Sequence, residues 1–304
     1  YGEGDEEGLS RGCACRGTAG FAHVSCLAEQ ARRLVAEAFE NNLGREVINA
    51  RFMRWHTCGL CEQEHHGVVR CALGWACWKT YLGRPETDWA RLSALNSFGC
   101  GLDNLAGVTG DGRAVKEAVQ VLASRLDILG RCTSETAEGR VELSHMVFET
   151  KTNLSCCYVR LGMGAEALEI HRELHQMYVT ANGYGPTHVN TMIAALNLST
   201  SLVNTGNFAE ARTFTRDQMA LAKRVFGSDN KITLDFQWGY SRAFTRDKDA
   251  TAEELIEVAT ILENALKIAQ RVMGRDHPRT GNIRHGLATA REEIARRRGA
   301  QVNT

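Results

Sequence analysis

Proline, net charge and long apolar runs are all scarce in this sequence. Only three of its 304 residues are proline, at positions 85, 186 and 278, and this scarcity, with abundant Ala, Leu, Glu and Arg, predicts a mainly α fold. Lysine plus arginine total 36, as do aspartate plus glutamate. The chain therefore has no net charge that would attract nucleic acid or an acidic membrane. No apolar run reaches the roughly 18 residues that span a bilayer.

Targeting and enzyme signatures are also missing. We find no secretory signal, so we expect a soluble, intracellular protein located in the cytoplasm. The glycine-rich GVTGDG at 107–112 lacks the lysine and the following serine or threonine of a phosphate loop, and no serine elbow is present. We therefore predict a turn between helices at 107–112, no catalytic side chain and no organic cofactor.

The second part of the chain contains a repeat. GPTHVNT at 185–191, GSDNKIT at 227–233 and GRDHPRT at 274–280 each place a threonine six residues after a glycine, at spacings of 42 and then 47 residues. A second marker stands six residues after each threonine, at Asn197, Gly239 and Gly286, and an earlier copy of this second marker stands at Asn153. A glycine turn and a second helical segment lie between markers, so each period predicts a helix–turn–helix unit.

The repeats resemble tetratricopeptide repeats of the kinesin-light-chain kind, whose copies carry Asn-Leu-Ala and end in Leu-Gly-x-x-His-Pro-x-Thr. VMGRDHPRT at 272–280 matches that ending. The resemblance implies a tetratricopeptide-like α-solenoid of about four helix pairs, closed by a capping helix that starts at Pro278. It also implies protein partners, because Asn153 and Asn197 match positions that in such repeats bond a peptide backbone. In the two later copies glycine stands there.

The first part of the chain is rich in potential metal ligands. Seven of the eleven cysteines lie within the first 77 residues, and in an intracellular protein such clustering favours metal binding over disulfides. Thiolates and imidazoles at short spacings suit zinc in a closed structural site. The candidates form three pairs: Cys13 with Cys15, His23 with Cys26, and Cys58 with Cys61. Spacing alone leaves open whether they serve one zinc ion or two.

The order of these pairs resembles the RING-CH finger, whose ligands are four cysteines, one histidine and three cysteines; GCACRGTAGFAHVSCL at 12–27 carries the likeness. The resemblance implies an interleaved arrangement with one complete four-cysteine zinc site and half of a second zinc site. The complete site is Cys13, Cys15, Cys58 and Cys61, and the half-site is His23 and Cys26. The first ligand pair of the family is missing, so we expect the sequence to be truncated before Tyr1.

Two functions follow from these resemblances. In the first, the protein is a RING-type E3 ubiquitin ligase that acts by positioning: the finger recruits a ubiquitin-conjugating enzyme, with Leu27 and Trp55 as apolar contacts, and the repeats bind the substrate. In the alternative, zinc is purely structural and the protein is a scaffold that binds protein partners through its repeats. No proline follows Cys58, where fingers that recruit a conjugating enzyme often carry one.

We predict three regions: a RING-CH-like finger at 1–66, a connecting helix at 67–87, and the repeats at 88–304. An amphipathic helix at 24–41 begins at the His-x-x-Cys pair. The remaining histidines and cysteines favour structural roles. We expect surface positions for His56, His65 and His66. We expect core positions for Cys71, Cys77, Cys100, Cys132, Cys156 and Cys157. His171 and His175, four residues apart on one helix face, are a possible metal pair, but the absence of a third ligand disfavours that interpretation.

Overall fold

The computed structural model describes residues 8–180, 184–275 and 277–302. Over these residues the chain is mainly α, as predicted, with two isolated antiparallel bridges that pair Ser10 with Ala22 and Thr57 with Glu64. None of the described helices is long and apolar enough to cross a membrane. The helices are α1 (Val24–Glu40), α2 (Arg45–Phe52), α3 (Gly67–Tyr81), α4 (Trp89–Thr109), α5 (Gly112–Arg131), α6 (Ala137–Arg160), α7 (Gly164–Thr180), α8 (Val189–Asn204), α9 (Phe208–Phe226), α10 (Lys231–Thr245), α11 (Ala252–Met273) and α12 (Pro278–Val302).

The helix boundaries follow local sequence signals. The predicted helix at 24–41 is α1, and the predicted turn at 107–112 separates α4 from α5. Gly110 ends α4 in the left-handed conformation with φ of 72°, a conformation that glycine adopts without steric cost. Gly162 and Gly206, at the predicted turns after α6 and α8, have φ of 75° and 79°.

The repeated glycine–threonine marker lies at the N-terminus of a helix. Its fourth residue is the N-cap: His188 and Asn230 accept a hydrogen bond from the backbone N–H two residues later, which satisfies a donor that the helix leaves unpaired. In two of the three copies the buried threonine donates its hydroxyl to the carbonyl of the glycine at 2.8 Å. The pairs are Thr233 with Gly227 and Thr280 with Gly274. Each bond joins the first turn of a helix to the glycine that ends the preceding helix, which explains why this spacing recurs.

The chain divides into two compact units, residues 1–163 and 164–304. In the C-terminal unit each helix packs on the next, and α10 also packs against α8 and α12. One apolar core draws residues from all six helices, α7 to α12. Ala167 and Ala211, small residues on the second helices of their pairs, are fully buried. This arrangement matches the expectation that no helix pair buries its apolar face alone.

In the N-terminal unit, α3 and α4 approach closely through glycines. A side chain at Gly74 would place its Cβ 2.6 Å from the Ser97 carbonyl oxygen, and one at Gly101 would lie 3.0 Å from the Arg70 carbonyl oxygen. Helix backbones come this near only where no Cβ intervenes. The far end of α3 packs into a core shared with α1, α2 and α4, formed by Ala31, Val35, Phe52, Trp55, Cys77, Tyr81, Ala90 and Ala94.

Substitution of Gly74 tests this contact. Gly74→Ala forces α3 and α4 apart, because the new methyl group meets rigid backbone, and the free energy of unfolding should fall by about 1 to 3 kcal/mol. Gly130→Ala in α5 is the matched control, since nothing lies within 4 Å of its added Cβ. The control should stay unchanged or gain up to about 1 kcal/mol from helix propensity. Urea titration followed by circular dichroism measures both, and equal behaviour of the two variants would contradict the contact.

Candidate metal centre and partner-binding face

The structure brings four cysteine thiols together. The Sγ atoms of Cys13, Cys15, Cys58 and Cys61 all lie within 4.8 Å of one another, and those of Cys15 and Cys58 are 3.8 Å apart. Cys13 and Cys58 are buried, whereas Cys15 and Cys61 are half-buried. These are the two pairs that the RING-CH resemblance assigns to one metal. Metal binding itself stays a prediction.

Two backbone pairings position the thiols. The first cysteine pair lies in the loop that the Ser10–Ala22 bridge closes. The Gly12 carbonyl, just before Cys13, accepts a hydrogen bond from the His66 N–H at the start of α3. The second pair lies in the turn between Thr57 and Glu64, where the Cys58 N–H donates to the Gln63 carbonyl at 2.9 Å. The Leu60 N–H also points at the Cys58 sulfur, at 3.4 Å.

The donor set fits a structural zinc ion. Four thiolates at about 2.3 Å from zinc in a tetrahedron stand about 3.8 Å from one another, which is the Cys15–Cys58 separation. Burial raises the pKa of Cys58, but hydrogen bonds from the backbone N–H groups of Cys61 and Leu60 and from the neighbouring thiols lower it to about 7. Burial together with the neighbouring thiols raises the pKa of Cys15 to about 12. Metal binding must therefore displace protons from the cluster.

Gly20 closes the cluster on one side. A Cβ on this residue would lie 2.6 Å from the Cys15 Cβ and 2.9 Å from the Cys13 sulfur, and its φ is 79°. Glycine is needed here both for the conformation and for the space.

The other predicted ligand pair stands apart from this cluster. His23 caps the start of α1 and Cys26 lies in its first turn, with 3.8 Å between the His23 Nδ1 and the Cys26 Sγ. Cys26 is exposed. Within the described ranges the four-cysteine cluster is the one group of three or more potential ligands, so His23 and Cys26 remain a pair of two ligand atoms.

The structure corrects several structural assignments made from sequence. His65 is buried and not on the surface. Burial lowers the pKa of His56 to about 3, and the charges of Arg70 and His65 lower it further. His66 is exposed as predicted. Trp55 lies in the core at 1% exposure and is unavailable to a conjugating enzyme. Of the predicted core cysteines, Cys77 and Cys157 are buried, Cys71, Cys100 and Cys132 are half-buried, and Cys156 is exposed.

His171 and His175 do not form a metal pair. The His171 Nδ1 lies 2.6 Å from the Ser201 hydroxyl of α8, and the ring of His175 packs edge-on against Phe214 of α9. Burial lowers the pKa of His171 to about 4, so the imidazole is neutral at pH 7. Both histidines serve helix packing.

The two predicted peptide-binding asparagines lie in different surroundings. Asn153 donates from its side chain to the Asn96 Oδ1 at 3.0 Å, and the same oxygen accepts from the buried Arg125 at 2.9 Å. One amide donor of Asn153 is therefore used inside the N-terminal unit. Asn197 is half-buried on α8. Asn204 follows seven residues later, which places it on the same side of that helix two turns on.

A cationic surface that sequence reasoning missed lies beside Asn204. The Asn204 Oδ1 accepts from Arg242 of α10 at 3.0 Å and from Arg246, the C-cap of that helix, at 2.7 Å. Burial lowers the pKa of Arg242, and the charge of Arg246 lowers it further. Among the residues that the structure describes, neither guanidinium has a carboxylate partner. The available signal was the pair of arginines three and seven residues after the marker Gly239.

The glycine at the last marker belongs to the same surface. A Cβ on Gly286 would lie 3.1 Å from the Cδ1 of Trp238, so glycine makes room for the indole between α10 and α12. The Arg242 guanidinium stands 5.1 Å from the centre of that ring. We call Asn197, Asn204, Trp238, Arg242 and Arg246 the arginine face.

Comparisons with known proteins support the repeat assignment. A family model for the tetratricopeptide repeat matches residues 191–230. No curated protein matches the chain. Two crystal structures of the nearly identical TPR-like repeats of a putative kinesin light chain from Podosopora anserina, one of them a single-residue variant, each align with 16% identity and a TM-score of 0.52. The alignments cover 82% and 83% of this chain and 97% and 99% of those chains.

Such low identity shows the fold alone. The chain therefore carries tetratricopeptide repeats similar to those of kinesin light chain, as predicted. At the N-terminus, what the structure contains is the cysteine cluster, and nothing in the comparisons extends it to a RING-CH finger.

Gly20 offers a test of the metal centre. Gly20→Ala should weaken zinc binding by about 10- to 100-fold, because its methyl group occupies the space beside the Cys13 and Cys15 sulfurs. Gly17→Ala is the matched control: Gly17 also has a positive φ, of 62°, but nothing lies within 4 Å of its added Cβ. Competition with a chromogenic chelator measures zinc affinity. Equal losses in both variants would mean that backbone strain alone, and not contact with the thiols, is responsible.

Proposed function

We propose that this protein is a zinc-stabilised scaffold that binds protein partners through its tetratricopeptide repeats. The observation that carries the proposal is the arginine face, in which Arg242 and Arg246, at the end of α10, donate to the neutral Asn204 of α8 and have no carboxylate partner among the described residues. We further propose the domain limits 1–66 for the finger, 67–87 for the connecting helix and 88–304 for the repeats.

In the proposed metal centre, zinc supplies a cross-link between two distant parts of the chain. Cys13 and Cys15 provide one half of the donor set, and Cys58 and Cys61 provide the other. Four protein thiolates leave no open position for water or substrate, so such a site is structural. The backbone N–H groups that point at Cys58 orient its sulfur, and Gly20 leaves the space that the sulfurs need.

The proposed partner is a protein segment that carries carboxylate side chains. Arg242 and Arg246 share one neutral acceptor, so their donors are not used up and their charges are not balanced. Charge-assisted, bidentate bonds to carboxylates are the strongest contacts that guanidinium groups make. Asn197, two turns away from Asn204 on α8, supports the proposal because its amide offers bonds to the partner's backbone.

Removal of the two arginines tests this proposal. The Arg242→Ala, Arg246→Ala double variant should bind short acidic peptides about 10- to 100-fold more weakly, as expected when charged hydrogen bonds are lost. The probe is an immobilised set of synthetic peptides that differ only in net charge, followed by fluorescence titration of the best binder. The matched control is Arg172→Ala with Arg271→Ala, which removes the same charge from exposed arginines paired with Glu210 and Asp229. Equal losses in both double variants, or no preference for acidic peptides, would contradict the proposal.

A ubiquitin ligase is the second candidate. Leu60, between the last two cysteines of the cluster, is 72% exposed, and Met53 nearby in sequence is 44% exposed. Exposed apolar residues beside a metal centre favour a protein contact at the finger. Under this candidate the finger recruits a conjugating enzyme, and the repeats hold the substrate.

Autoubiquitination with a panel of conjugating enzymes tests the ligase candidate. Chains should form with at least one enzyme. Leu60→Ala should reduce chain formation at least ~10-fold while zinc content is unchanged, because only the contact is lost. Cys58→Ser should abolish chain formation together with metal binding. Leu82→Ala, which removes another exposed leucine, is the control. Absence of chains with every enzyme would remove the ligase function and leave the scaffold.

A further inference from the structure

Helix α3 presents an apolar stripe to solvent. The helix packs against α1 and α4, and a helix packed in this way normally keeps polar residues on its outer side. Here Val68, Trp75 and the C-cap Leu82 are 63%, 43% and 48% exposed, and Cys71 and Trp78 are half-buried. These five residues, which we call the α3 stripe, follow one another at alternating spacings of three and four. That is the spacing with which the seam of one helix packs against another helix.

The α3 stripe is complementary to itself. Val68 and Leu82 lie seven residues on either side of Trp75. Ala72 and Trp78 lie three residues on either side of it. If two copies of α3 pack antiparallel about a twofold axis at Trp75, each residue faces the one at equal distance beyond the axis. Val68 then packs against Leu82, and the small Ala72 leaves room for the large Trp78. The two Trp75 rings meet at the axis, where contact between aromatic rings is favourable.

The charges beside the stripe also match between two copies. Lys79 is the one charged residue on the exposed side of α3, because Arg70 is buried. It lies four residues after Trp75 and would therefore face Cys71, four residues before Trp75, in the second copy. Glu117 of α5 lies near Cys71: burial raises the pKa of this thiol, and the charge of Glu117 raises it further. Among the residues that the structure describes, neither Lys79 nor Glu117 has an ion-pair partner, so both charges are available to a second copy.

We propose that α3 pairs with the same helix of a second copy of the chain, antiparallel and about a twofold axis at Trp75. The two α3 stripes form the interface, and at each end the Lys79 ammonium of one copy meets the Glu117 carboxylate of the other. A second copy suits the stripe better than an unrelated helix, because side-chain sizes and charges both match under one rotation. The 15 residues of α3 extend over roughly 22 Å, and so short an interface gives a reversible dimer. The inference depends neither on the proposed partner nor on the metal centre.

Sedimentation velocity of the full chain tests the pairing. The wild-type protein should associate reversibly to a dimer between roughly 1 µM and 1 mM, as expected for a small interface. Val68→Glu should weaken association at least ~100-fold, because the dimer would bury two carboxylates without partners. Val141→Glu on α6, at a valine that is 56% exposed, is the matched control and should dimerise as the wild type does. Circular dichroism should show the same helix content in all three proteins.

Charge reversal tests the register of the two helices. Lys79→Glu should weaken the dimer about 10- to 100-fold, because it places like charges opposite each other at both ends of the interface, and Glu117→Lys should do the same. An equimolar mixture of the two variants should recover the wild-type affinity, since each contact in the mixed dimer again joins a glutamate to a lysine. Mixing cannot correct a folding defect in either variant, so recovery identifies a contact between two chains.

Three outcomes would overturn the inference. A monomer at every concentration would show that a second copy does not cover the stripe and would leave it to a helix of another protein. A dimer that persists in Val68→Glu would place the interface on another surface. A dimer that is lost in Val68→Glu, but whose two charge variants do not recover on mixing, would show that the helices do not pair about Trp75.

Discussion

The N-terminal unit depends on the close approach of α3 and α4. Gly74 and Gly101 allow backbone to meet backbone, and this contact sets the position of the whole of α3. The start of α3 then holds the Gly12 carbonyl through the His66 N–H, directly before the first metal-ligand candidate. Its far end packs with α1 and α2. A contact between two helices thereby decides where the cysteines of residues 13–15 lie.

The four-cysteine cluster joins segments that lie more than forty residues apart in sequence. Such a closure costs conformational entropy that only a strong bond can offset. The short bridges near Ser10 and Thr57 supply few hydrogen bonds, and burial raises the pKa values of the Cys13 and Cys15 thiols. A metal that binds thiolates resolves both difficulties, because it replaces protons and links the two segments. Four thiolates that link two segments in this way favour a structural centre over a reactive one.

In the C-terminal unit the marker positions and their neighbours contribute both to helix packing and to the arginine face. The marker positions on α8, α10 and α12 carry an asparagine and two glycines. Where asparagine is absent, Trp238 occupies the space over Gly286, and the arginines of α10 reach the asparagine of α8. Among the described residues neither guanidinium group is paired with a carboxylate, and the charge of Arg246 lowers the pKa of Arg242. A surface that keeps such charge favours a role in binding.

Local features of this protein were determined by the sequence itself. Helix ends, the repeat period and the N-caps depend on hydrogen bonds between residues within six positions of one another, as in the Thr233–Gly227 bond. Which thiols meet followed from the resemblance to the RING-CH ligand order and not from the spacing alone. Only the tertiary structure decided the burial of Trp55 and His65, the pairing of Asn153 with Asn96, and the arginine face. These features depend on which helix faces meet. The residues in contact are far apart in sequence, so the local sequence around one residue does not indicate which residue it contacts.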